Sequence, residues 1–113
     1  MSLSWKIDEC STHGGRMHLS GWCFAARLPI VKVEAVFWPP LTIVPVARFG
    51  LPSPDLVAAV DPRAGRSRFD DWIEVPPAAA GRDFRLHFTL GDGCVVLSGP
   101  ALENARLGRG PAP

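Results

Sequence analysis

The sequence has no tyrosine, two lysines against ten arginines, three cysteines and no long apolar run. Each scarcity excludes something. The most apolar region, 30–46, is broken by Lys32, Glu34 and three prolines, so it falls short of the roughly 18 residues a membrane-spanning helix requires. Cys10, Cys23 and Cys94 are odd in number and irregular in spacing, which argues against a disulfide framework and for reduced thiols. A net charge of +1 provides no field to gather nucleic acid or an anionic membrane. Neither a G-x-S-x-G elbow nor a phosphate loop, EF-hand loop or dinucleotide fingerprint occurs. The opening "MSLSWKIDEC" lacks the basic-then-apolar layout of a secretory signal. The expected location is cytoplasmic, as a free chain or as a piece of a longer one.

What is present is alternation. In "RDFRLHFTLGDG", Phe84, Leu86, Phe88 and Leu90 fall on one face, with Arg85, His87 and Thr89 on the other. That period of two is the mark of a half-buried antiparallel strand. "GDG" at 91–93 is a hairpin turn, and "CVVLSG" returns as its second strand. "IVKVEAVFW" likewise places Val31, Val33, Ala35 and Phe37 inward, and the prolines at 39–40 end it. "LTIVPVARF" reads as the next strand, with Pro45 putting it at an edge or bulge. "SWKIDEC" and "RMHLSGWCFA" form an opening hairpin around "THGG", and "RFDDWIEV" alternates Phe69, Asp71, Ile73 and Val75 against Asp70, Trp72 and Glu74. About seven strands with turns between them predict an all-β antiparallel sandwich, a single domain over 4–100 with a frayed tail over 101–113.

One stretch, "RFGLPSPDLVAAV", departs from this pattern. Ser53 suits an N-cap, Pro54 the first helical position and Asp55 the first turn. A short helical crossover near 54–60 follows, with Asp55 as helix punctuation rather than a site.

With "GWCFAA" at 21–26, "IVKVEAV" at 30–36, "GLPSPDLVAAV" at 50–60 and "SRF" at 67–69 in order, residues 18–98 resemble the small β-sandwich modules found beside bacterial glycosyltransferase and methyltransferase domains of surface-polysaccharide proteins. This chain has Ser53 where that pattern usually has arginine and Arg68 where it usually has glycine. The resemblance implies an immunoglobulin-like fold and a non-catalytic accessory module, docking an attached catalytic domain. Self-association through an edge strand or apolar patch is the other expected partnership.

Chemistry finds little purchase. Cys10, His13, His18 and Cys23 have the elements of a zinc site, but His18 and Cys23 lie five apart on a strand and point to opposite faces. Cys94 with His87 across the last hairpin is conceivable as a nucleophile and base, yet Cys94 opens an apolar strand as a small hydrophobe would. Asp70 and Asp71 alternate faces and cannot share a proton. No catalytic residue, metal or cofactor is therefore expected. The alternative function is carbohydrate binding. Trp72 lies on the polar face with Asp70 and Glu74, as a flat platform for a sugar, and Arg66 and Arg68 suit an acidic sugar or phosphate. Trp22 and Trp38 are expected in the core or rim of the sandwich.

Overall fold

The computed structural model describes residues 3–38, 40–79 and 83–97. Eight strands and one short helix run in the order β1 Leu3–His13, β2 Arg16–Ala25, β3 Ile30–Phe37, β4 Thr42–Pro45, β5 Phe49–Leu51, α1 Pro54–Ala59, β6 Arg68–Glu74, β7 Arg85–Leu90 and β8 Val95–Leu97. A single 3-10 turn, Pro77–Ala79, precedes β7. Strands β1-β2-β6-β5 form one four-stranded antiparallel sheet and β4-β3-β7-β8 the other. Labelled in chain order A, B, C, C′, D, E, F and G, these are the A-B-E-D and C′-C-F-G layers of an immunoglobulin-like sandwich. No helix among the described residues is long and apolar enough to cross a membrane.

Alternation builds both layers. In β2, Met17, Leu19, Gly21, Cys23 and Ala25 are buried, and in β7 Leu86, Phe88 and Leu90 are. Residues from both sheets, among them Ile7, Leu19, Phe37, Phe69, Leu86 and Phe88, close on one another as a single core. Burying such side chains stabilises by roughly 1.5–3 kcal/mol each, several times what an exposed ion pair contributes. The core therefore sets the fold, and the polar outer faces decorate it. Both expected hairpins form. Gly14 and Gly15 turn β1 into β2 with φ of 58° and 80°, the two left-handed positions that a tight hairpin turn asks for.

Three features depart from simple alternation. "LTIVPVARF" is two strands: β4 ends at Pro45, which lacks an N–H to donate, and the chain crosses to the other sheet before β5 begins at Phe49. This makes eight strands where seven were expected. Asp71 holds the crossing, its Oδ2 accepting from Ala47 N–H at 2.8 Å and, at longer range, from Arg48 N–H. Val31 faces solvent because a bulge between Ile30 and Lys32 shifts the register. Ser53 precedes α1 as foreseen but its hydroxyl does not cap the helix. Fully buried, it donates to Ala64 O at 2.6 Å and accepts from Ser67 N–H at 2.9 Å, pinning the loop that follows the helix. The tail over 101–113 lies outside the described residues.

Candidate functional site

The outer face of the β1-β2-β6-β5 sheet gathers most of the residues that the sequence singles out. A second bulge is responsible. The β1–β2 register slips between Ile7 and Glu9, so Asp8 and Glu9, neighbours in sequence, both serve the outer face. The close approach requires a glycine across from it. A Cβ on Gly21 would lie 2.1 Å from Lys6 O and 2.9 Å from the Phe69 ring.

Around this bulge the charges pair off. Arg68 meets Asp8 at 3.2 Å and also bonds Asp55 at the start of α1. His18 lies between two carboxylates, with Nε2 2.7 Å from Asp70 and Nδ1 3.2 Å from Glu9. Asp70 foremost, then Glu9, holds the imidazole proton and raises its pKa above the ordinary histidine value, outweighing a desolvation that would lower it. The register sets His18 opposite Trp72, and their rings stack with centroids 5.0 Å apart. Arg16 lies over the same indole at 5.6 Å and pairs with Glu74 at 3.5 Å. Trp72 remains 43% exposed.

Of the residues expected to bind a sugar, Trp72, Asp70 and Arg68 share this face, but Asp70 and Arg68 are committed to partners within it. Arg66 is not with them. It lines a cleft of about 590 Å³ at one end of the sandwich, between loop 26–29 and loop 62–67. His18, the hub of the face, is weighed in the sequence only as a zinc ligand, not as the partner of Trp72 and two carboxylates. Its register opposite Trp72 could have been found by aligning the two strands, but its carboxylates depend on a bulge that no pattern announces. Trp22 is on this outer face too, half-buried, and Trp38 is 42% exposed just beyond β3, so neither belongs to the core.

The remaining constellations separate. Cys10 and Cys23 face inward while His13 and His18 face outward, on opposite sides of one sheet. All three cysteines are free thiols. Burial pushes the Cys23 thiol up to about 12. Cys94 is exposed in the last turn rather than packed as a hydrophobe, and the Asp92 carboxylate beside it pushes its thiol up. His87 is opposite Leu97, away from Cys94. Asp70 and Asp71 do point to opposite faces, one to His18 and the other to the β4–β5 crossing. Neither family models, curated proteins nor solved structures give a match to this chain.

Proposed function

We propose that this chain is a non-catalytic accessory module that docks a glycosyltransferase-type domain of a larger bacterial protein in surface-glycan assembly. The resemblance in sequence motivates the setting. The observation that supports the non-catalytic part is geometric: Cys23 is shut in the core, His87 lies away from Cys94, and His18 is already bonded to Asp70 and Glu9. The gene's full reading frame is the first test: docking expects a glycosyltransferase-type domain encoded in frame with these residues. Hydrogen exchange on that whole protein, compared with this module alone, is the second. Protection appearing on one face of the sandwich supports docking. Identical exchange in both, or a reading frame that opens at Met1 and closes after Pro113, overturns it.

A carbohydrate-binding role for Trp72 is the second reading, favoured by its 43% exposure on the outer face. Arg16 lies over that ring, so an incoming sugar has to displace it. Saturable quenching of tryptophan fluorescence by oligosaccharides, lost in Trp72→Ala and strengthened in Arg16→Ala, is the expected signature. Quenching that survives Trp72→Ala sinks it.

A further inference from the structure

The end cleft differs in kind from the outer face. Its walls combine apolar side chains, Phe24, Leu28, Ile30 and Phe49, with three arginines, Arg27, Arg63 and Arg66. Arg63 is spoken for. Its side chain binds both oxygens of Asp61 at 2.9 Å and donates to Ala26 O at 2.9 Å. This pairing holds the Asp61 carboxyl down at about 2 and ties loop 62–67 to loop 26–29. Arg27 and Arg66 have no carboxylate partner among the described residues.

The rims are fixed rather than loose. Ser53 pins Ala64 and Ser67, Cys23 N–H donates to Ser67 O at 2.9 Å, and Gly91 N–H donates to Pro29 O at 2.9 Å. The volume, about 590 Å³, falls in the range of small-molecule sites, which pair an apolar lining with a few convergent polar groups. A fixed apolar cleft bearing two uncompensated guanidinium groups selects a planar or tetrahedral anion on an apolar body.

We propose that this cleft binds a small ring-bearing organic anion, its carboxylate or phosphate held by Arg27 and Arg66 and its ring lying against Phe24, Leu28, Ile30 and Phe49. The ligand site is separate from Trp72 and does not depend on the docking reading. Arg63 is a positioning residue: with Asp61 it spaces the two rims.

Backbone amide NMR of the chain, titrated with phenyl phosphate, glucose 1-phosphate and glucuronate, tests this directly. Saturable shifts at 23–30 and 62–67 are expected with at least one of the three, and the responding probe distinguishes phosphate from carboxylate and sugar from aryl ring. Arg27→Ala and Arg66→Ala should each weaken binding about tenfold. Both side chains are exposed, and unchanged spectra elsewhere establish that the variants fold. The proposal is overturned by any of four results: no shifts at about 10 mM of every probe, equal affinity for inorganic phosphate, shifts centred on Trp72, or binding indifferent to both substitutions.

Discussion

The outer face of the first sheet and the cleft at the end of the sandwich are both rich in charge, and they handle it in opposite ways. On the face, three cations each sit against a carboxylate: Arg16 against Glu74, His18 against Asp70 and Glu9, Arg68 against Asp8 and Asp55. In the cleft, one arginine of three is neutralised, and among the described residues the other two meet no carboxylate. Charge density alone does not mark a binding surface. On the face five carboxylates meet those three cations, so none of the three is left to draw an anion, while a small unpaired group over an apolar lining presents a directed positive potential.

Four substitutions test that contrast, in falling order of effect. Gly21→Ala strikes the bulge that brings Asp8 and Glu9 to the face. With Lys6 O and the Phe69 ring in the way, it should cost about 3 kcal/mol in denaturant unfolding. A cost under about 1 kcal/mol would mean that β1 moves aside and the face is not built by this contact. Ser53→Ala strips the buried hydroxyl from the cleft's rim and leaves Ala64 O and Ser67 N–H without it, a loss of about 1–3 kcal/mol. Faster amide exchange at 64–67 should accompany it, with the outer face undisturbed. Arg68→Ala leaves Asp8 and Asp55 unpaired but partly solvated, for about 1 kcal/mol or less.

The smallest effect is one of pH. The folded pKa of His18 is raised above its unfolded value near 6.5. Its contribution is therefore full below about pH 6.5 and fades as pH rises through the folded pKa. The stability gap between the native chain and His18→Gln should be below about 1 kcal/mol. It should shrink from pH 6 to pH 9. A gap that is constant or grows with pH would show that the carboxylates do not hold the proton.

The same contrast explains what could be read from the sequence. Period-two burial is a local property, so Phe84 to Leu90, Met17 to Ala25 and the two hairpins were legible at once. Trp72 and Asp70 were placed on the polar face by the same count. What escaped reading is what bulges do. Alternation assigns Asp8 and Glu9 to opposite faces and Val31 to the core, and a single inserted residue reverses both. Ser53 had the right residue type and position for a cap, yet its hydroxyl answers a carbonyl and an amide eleven and fourteen residues away. Arg66 and Arg68 looked like one anion-binding pair. Strand geometry sends Arg68 to the face, while the loop keeps Arg66 at the cleft.

The slip at Asp8 also bears on how copies of this molecule meet. β1 is an outermost strand eleven residues long, the sort of unsatisfied margin along which like chains zip together into growing ribbons. Interrupted near its midpoint, it offers an incoming strand two short, misaligned segments instead of one straight seam. Excising Asp8 would heal the seam, and the shortened chain should form assemblies that scatter light at concentrations where the native one remains dispersed.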